Sequence, residues 1–160
     1  MKNTIKDKAS LVNSVFSKVH RKYDLMNDIM SLGIHRIWKD KFLNWMNPQH
    51  NDSLIDVASG TGDIAKIFAK KVNRSGKIFC VEPNKEMMLI GKSNLINYKN
   101  ISWINSAAEQ LPCNDDMFDF YSISYGIRNV SNLDLTLKEA FRVLKPGGRF
   151  MCLEFSKINN

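Results

Sequence analysis

The sequence of 160 residues contains little cysteine, and none of it follows a metal-binding pattern. Its three cysteines, Cys80, Cys113 and Cys152, lie far apart and lack the short spacings of zinc ligands. We therefore expect free thiols in a reducing compartment, with neither a disulfide framework nor a metal site.

Long apolar runs are also lacking. No segment approaches the roughly 20 apolar residues that span a bilayer, and residues 1–8 mix lysines with Asp7, so we expect no secretory signal. The chain has instead 44% hydrophobic residues, enough for one globular core, and a formal net charge of +7. Because the basic residues are spread and not interleaved with aromatics, a solvated basic surface is the first interpretation, ahead of anionic lipid, and no nucleic acid partner is expected.

Strand-like and helix-like patterns alternate along most of the chain. Apolar runs predict strands at 53–58, 77–82, 101–105, 117–124 and 149–155, and helical periodicity predicts helices at 63–72, 84–96 and 133–144. This alternation is typical of an α/β fold with a parallel sheet and helices on both faces. Residues 9–46 are helical in pattern, so we divide the chain into an N-terminal helical cap or substrate layer at 1–48 and a cofactor-binding core at 49–160.

The most informative stretch is LIDVASGTGD at residues 54–63, a buried strand that breaks into a glycine loop and restarts as a helix. Gly60 and Gly62 permit backbone angles and close ligand approach that a Cβ would forbid. Together with Ala65 they also satisfy the loose dinucleotide pattern, so both a dinucleotide and another nucleotide cofactor are candidates for this loop.

The charges around the loop distinguish the two cofactors. A pyrophosphate binds bare amides at the start of a helix, where the carboxylate of Asp63 would oppose it. Asp56, Asp63 and Glu82 place three carboxylates around one crevice, which suits the sulfonium and ammonium charges of S-adenosylmethionine. Glu82 follows Gly60 by 22 residues, close to the spacing at which a carboxylate reaches a ribose diol.

Later strands bring further residues to the same edge of the predicted sheet. Ala107 and Ala108 follow the third strand, where the adenine end of the crevice is expected, and they offer backbone groups only. Ser124 lies at the ligand end of the fourth strand. Arg128 and Asn129 come just beyond it, so they are candidates for substrate contact.

Several stretches strongly resemble the ubiquinone and menaquinone biosynthesis C-methyltransferase family. They lie at residues 15–19, 22–27, 33–38, 56–63 and 124–130, and residues 153–157 are similar too. The resemblance implies a Rossmann-like class I methyltransferase fold with a parallel sheet in the order 3-2-1-4-5. It also implies methyl transfer from S-adenosylmethionine to a ring carbon of a polyprenylated benzoquinol or naphthoquinol.

The resemblance assigns cofactor contacts to Thr61 in the glycine loop, Glu82 at the ribose, Ala107 and Ala108 at the adenine, and Ser124 after the fourth strand. Ala107 stands where the family usually has an Asn or Asp that bonds the adenine amino group, so we expect backbone groups or a neighbouring Glu to replace it.

For the reaction, we hypothesise that Arg128 stabilises the phenolate, Asn129 orients it, and Tyr23 relays the proton lost from the ring. The expected partner is a lipid quinol. A cytoplasmic location, with peripheral contact to the inner membrane, is expected, together with a homodimer or a quinone-biosynthesis complex.

The family continues past the fifth strand with a helix and two more strands, so these C-terminal strands are expected to be missing here, leaving residues 150–155 as an open edge. Two alternatives stay open: a cofactor-binding remnant without turnover, and a class I methyltransferase with another small-molecule acceptor.

Overall fold

The computed structural model describes residues 34–72 and 76–155. The helices are α1 Ile34–Met46, α2 Asp63–Lys71, α3 Lys85–Asn94 and α4 Leu133–Val143, with a 3-10 turn at Ile127–Asn129. The strands are β1 Leu54–Val57, β2 Ile78–Val81, β3 Ile101–Ile104, β4 Phe118–Ser124 and β5 Leu144–Leu153.

These five strands form one parallel sheet in the order β3-β2-β1-β4-β5. The predicted strand order is therefore confirmed. The chain adds β2 and β3 on one side of β1 and then returns to add β4 and β5 on the other side, so the order of the strands reverses between β1 and β4. In open sheets of this kind, ligands bind beyond the carboxyl ends of the strands at such a reversal. The topology thus directs attention to the residues that follow β1 and β4.

Local sequence accounts for where the helices begin. The side chain of Asn84 accepts hydrogen bonds from the backbone N–H groups of Glu86 and Met87 and so caps α3. Asn132 caps α4 in the same way through the N–H of Leu135. Each cap satisfies backbone donors that have no partner inside the helix.

Apolar side chains cover both faces of the sheet. Leu54 of β1 belongs to a buried cluster with Phe42 of α1 and Phe68 of α2. Ile55, the next residue of the same strand, points to a second cluster that includes Val143 of α4. Successive strand residues face opposite sides of the sheet, so the two clusters lie on opposite faces. Helices therefore pack on both faces, as predicted.

The start of the fifth strand differs from the prediction. β5 begins at Leu144, which pairs with Phe118, whereas the prediction ended the preceding helix at residue 144 and began the strand at residue 149. The register then shifts so that Phe120 pairs with Arg149, and the extra residues form an irregularity inside the strand. The ammonium of Lys145, within it, contacts both carboxylate oxygens of Asp119 at 2.8 and 2.9 Å.

The chain divides into two compact units, residues 1–38 and residues 39–160. Of the first unit, only residues 34–38 are described, and they form the start of α1. The boundary at residues 48 and 49 stays a prediction, and Tyr23 and most of the predicted helical cap lie outside the described residues. No helix in the described ranges is long and apolar enough to cross a membrane.

Candidate active site

Buried oxygens without a hydrogen-bond partner concentrate at one edge of the sheet. Buried polar atoms in folded proteins are nearly always hydrogen-bonded, so such atoms indicate a place where something else binds. Within the described residues they are Asp56 Oδ2, Tyr121 OH, Ser124 Oγ, Tyr125 OH and Glu154 Oε2. All but Tyr121 lie at or just beyond the carboxyl ends of β1, β4 and β5.

Asp56 is the most buried carboxyl group at this edge, with 1% of its surface exposed. Its Oδ1 accepts a 2.6 Å hydrogen bond from the hydroxyl of Ser122, its partner in the β1–β4 register. Burial raises the pKa of Asp56 to about 7, although the Ser122 hydrogen bond and the charge of Lys39 act against the rise. The charges of Asp63 and Glu82 add to it. The group therefore changes charge near neutral pH, and a cation at Oδ2 would favour the ionised form.

The glycine loop is held to the end of β2 by Glu82. One oxygen of this buried carboxylate accepts the N–H of Gly60 at 2.8 Å, and the other accepts the N–H of Asn84 at 2.9 Å. Each oxygen keeps a further lone pair that a ribose hydroxyl can use. Contact with the ribose stays a prediction, and the structure adds a loop-organising role that the sequence spacing did not indicate.

The two glycines of the loop meet different surroundings. Both have positive φ, +58° at Gly60 and +86° at Gly62. A Cβ on Gly62 would lie 2.6 Å from Leu95 Cδ1, whereas one on Gly60 would have Met87 Cε as its nearest neighbour at 3.6 Å. A Cβ at Gly62 would thus crowd Leu95, whereas a Cβ at Gly60 would make only an ordinary van der Waals contact. Thr61, between them, is half-buried.

Lys39 brings a positive charge to two of the three carboxylates, Asp63 and Asp56. Its ammonium lies 2.7 Å from Oδ2 of Asp63, the first residue of α2, and its side chain is only 14% exposed. Its charge also acts on Asp56. The sequence analysis missed Lys39, because its place near Asp63 depends on α1 packing beside α2 and no local spacing signals it.

The loop after β3 is braced by polar side chains. The amide of Asn105 donates to the carbonyl oxygens of Glu82 and Pro83 at 2.8 and 2.9 Å. Ala107 is exposed, and Ala108 is buried in the second cluster. One oxygen of Glu109 accepts the backbone N–H groups of Ser131 and Asn132 at the start of α4. Adenine contact by the two alanines stays a prediction, and Glu109 is engaged in joining two loops.

Arg128 and Asn129 lie in the 3-10 turn that follows β4. Nη1 of Arg128 lies 3.1 Å from Oε1 of Glu154, which follows β5, and its guanidinium lies over the ring of Phe155 at 5.6 Å. Asn129 is exposed. The sequence analysis missed Glu154 as a site residue, although it lies in one of the stretches that carry the family resemblance. In the described ranges, no group of three or more His, Cys, Asp or Glu side chains is arranged to hold a metal.

Comparison with known proteins agrees with this geometry. Residues 2–160 match the model of the ubiE/COQ5 methyltransferase family. A ubiquinone/menaquinone biosynthesis C-methyltransferase UbiE of Rickettsia bellii is 49% identical over 158 residues, covering 95% of this chain and 63% of the relative. A mitochondrial 2-methoxy-6-polyprenyl-1,4-benzoquinol methylase of Dictyostelium discoideum is 42% identical, covering 96% and 59%. The chain thus spans about three-fifths of the length of these curated relatives.

A solved structure supports the fold independently. The crystal structure of a SAM dependent methyltransferase from Aquifex aeolicus matches with a TM-score of 0.63 and 24% sequence identity, covering 68% of this chain and 58% of that one. At this identity the likeness concerns the fold alone, which is the class I methyltransferase fold.

Proposed function

Because the chain belongs to the ubiE/COQ5 methyltransferase family, we propose that it transfers a methyl group from S-adenosylmethionine to a ring carbon of a polyprenylated benzoquinol or naphthoquinol. The names of the Rickettsia and Dictyostelium relatives motivate this acceptor. The observation that carries the proposal is the buried, unpartnered Oδ2 of Asp56 beside the glycine loop.

The residues around the glycine loop fit S-adenosylmethionine. Asp56 offers a buried carboxylate oxygen to an ammonium or sulfonium charge, and the two oxygens of Glu82 suit two ribose hydroxyls. Asp63 in the first turn of α2 disfavours a pyrophosphate at that helix start. When bound, the cofactor would supply an activated methyl group on a positively charged sulfur. Gly60, which has a positive φ and no Cβ, would allow the ligand to approach the backbone.

At the acceptor end, Arg128 would stabilise the negative charge of a quinolate. A guanidinium forms two parallel hydrogen bonds with oxyanions, which also fixes the orientation of the ring. Asn129, exposed beside it, would orient the acceptor, and Tyr23 would relay a proton. Holding methyl and ring carbon in line is the larger part of the catalysis, because a sulfonium is already a good leaving group.

A polyprenylated acceptor resides in a membrane, so the proposal includes peripheral contact with a membrane surface, in the cytoplasm at the inner membrane. The net charge of +7 suits attraction to anionic lipid headgroups. Association as a homodimer, or with other quinone-biosynthesis enzymes, is part of the same proposal. β5 is an edge strand of the described sheet and has one row of backbone groups available for such pairing.

The test is methyl transfer from labelled S-adenosylmethionine to a demethylated quinol with a short isoprenoid tail, followed by mass spectrometry. We expect a C-methylated ring and one S-adenosylhomocysteine per turnover. Arg128→Lys should slow the reaction and Arg128→Ala should slow it further, by about 3 kcal/mol of activation free energy, with cofactor affinity nearly unchanged. A folded protein that binds the cofactor but methylates neither benzoquinol nor naphthoquinol would favour the alternatives of a binding remnant or a different acceptor.

A further inference from the structure

Two of the unpartnered buried oxygens at the carboxyl edge of the sheet have no role in the proposed reaction so far. They are the hydroxyl of Tyr125, directly after β4, and Oε2 of Glu154, directly after β5. The side chain of Glu154 is 17% exposed, and its other oxygen is already engaged by Arg128 and by the N–H of Phe155. One oxygen of this carboxylate is therefore fixed in position, while the second is buried and has no hydrogen-bond partner.

The backbone around these residues is held in an unusual conformation. Tyr125 has φ +57°, a region that bulky residues rarely adopt and that often marks functional sites. Its N–H donates to the carbonyl of Leu153 at 2.7 Å. Its ring stacks on Phe155 with the centroids 4.9 Å apart, and the guanidinium of Arg128 lies over the same Phe155 ring. The ends of β4 and β5 are thus joined into one cluster of Tyr125, Arg128, Glu154 and Phe155, which we call the Arg128 cluster.

The surroundings of Tyr125 favour the protonated form of its hydroxyl. Burial, then the negative charge of Glu154, raise the pKa of Tyr125, while Arg128 acts in the opposite direction. The Tyr125 hydroxyl accordingly keeps its proton at neutral pH and can donate a hydrogen bond. The carboxylate beside it is the group in the cluster that can accept a proton.

We propose that Glu154 is a catalytic residue, the base that takes the proton from the methylated ring carbon; this inference rests on the proposed function. In the reaction, the ring carbon of the acceptor attacks the methyl carbon, and a carbon–carbon bond forms as the carbon–sulfur bond breaks with its electron pair left on sulfur. The ring carbon then loses its proton to Oε2 of Glu154, and the C–H electron pair restores the aromatic ring. The proton leaves to solvent after the product departs.

The position of Glu154 suits this role. Nη1 of Arg128, the proposed partner of the quinolate oxygen, lies 3.1 Å from Oε1 of Glu154, so an acceptor bound to Arg128 would lie beside this carboxylate. The ion pair with Arg128 uses Oε1 and fixes the orientation of the carboxylate, while Oε2 makes no hydrogen bond. Glu154 would therefore supply a proton acceptor directly after β5, whereas the hypothesis of a Tyr23 relay placed that group on the N-terminal segment.

The test compares wild type, Glu154→Gln and Glu86→Gln in single-turnover methylation of an acceptor carrying hydrogen or deuterium at the reacting carbon. Gln keeps the size of Glu154 and an oxygen for Arg128 but cannot take the proton. Glu86 is an exposed glutamate in α3 and provides the same charge change outside the Arg128 cluster. We expect Glu154→Gln to form product about 100-fold more slowly or worse, with a ring-deuterium isotope effect larger than in wild type, and Glu86→Gln to match wild type.

A purely structural role gives a different result. If Glu154 only positions Arg128, the Gln variant loses rate without any rise in the isotope effect, and the proposal is wrong. It is also overturned if Glu154→Gln turns over at the wild-type rate. Should the Gln variant not fold, Glu154→Asp retains the base at a shorter reach, and it must then show the raised isotope effect. A wild-type protein that binds cofactor but methylates no quinol would overturn the proposed function, and with it the role assigned to Glu154.

Discussion

The charge state of Asp56 predicts how cofactor affinity depends on pH. Its pKa is raised to about 7, and a cationic ligand at Oδ2 binds the ionised form. One pH unit below this pKa about nine in ten of these carboxyls are protonated, so the apparent affinity should be about tenfold lower than on the alkaline plateau. The α-amino group of the cofactor keeps its charge below about pH 7.5. In the acidic part of this range, the change in affinity therefore comes from the protein.

Replacing Lys39 tests whether the charge state of Asp56 causes the pH dependence of cofactor affinity. Its positive charge lowers the pKa of Asp56, so Lys39→Met should move the midpoint of the affinity profile to higher pH. The matched control is Asn44→Ala, which removes the 2.8 Å hydrogen bond from Lys71 to Asn44 between the same two helices without changing a charge. We expect the control to leave the midpoint in place. Asp56→Asn should abolish the protein's share of the pH dependence.

Protein stability provides a second readout with a defined sign. The folded-state pKa of Asp56 lies above its unfolded value of 3.8, so the folded state binds the proton more strongly. The free energy of unfolding should therefore fall as pH rises from about 4 to about 7, and this share of the slope should be absent in Asp56→Asn. Calorimetric titration at several pH values, with chemical denaturation of the same samples, measures both effects. A flat affinity profile across this range, or the same midpoint in Lys39→Met and wild type, would refute the reasoning.

Three further predictions concern single contacts. Gly62→Ala should cost about 2 to 4 kcal/mol of stability, because its Cβ would lie 2.6 Å from Leu95 at positive φ. Gly60→Ala should cost only about 1 to 2 kcal/mol. Equal losses of stability in urea unfolding would argue against this difference. Asp119→Ala should cost about 1 to 2 kcal/mol, because the N–H of Ser53 loses its acceptor while the hydroxyl keeps the carbonyl of Met117, and an unchanged denaturation midpoint would contradict it. Glu82→Ala should weaken cofactor binding about ten- to a hundredfold, and unchanged affinity by calorimetry would reject the ribose assignment.

The features that follow from local sequence were predictable. Buried apolar runs and helical periodicity located the five strands and the three helices after residue 48, and Asn84 marked the start of α3. The start of β5 was not predictable in the same way. Leu144 enters the strand because it pairs with Phe118 across the sheet, and the irregularity that follows is tied to Asp119 through Lys145.

The candidate site also contains residues that local sequence indicated and residues that only the fold brings together. The glycine loop and Glu82 have a recognisable spacing, so the sequence indicated them. Lys39 and Glu154 reach the site only because α1 packs beside α2 and because β5 ends next to the turn after β4. The charge state of Asp56 is likewise a tertiary property, since burial of the strand sets it.

The assignment of the carboxyl edge of this sheet as an S-adenosylmethionine site can be tested by calorimetric titration of the folded chain at about pH 8. S-adenosylmethionine is one ligand, and NAD is the competing class of ligand. We expect one molecule of S-adenosylmethionine to bind per chain, more weakly in Glu82→Ala, and no comparable binding of NAD. A chain that unfolds cooperatively yet takes up no S-adenosylmethionine, or binds NAD equally well, would contradict it.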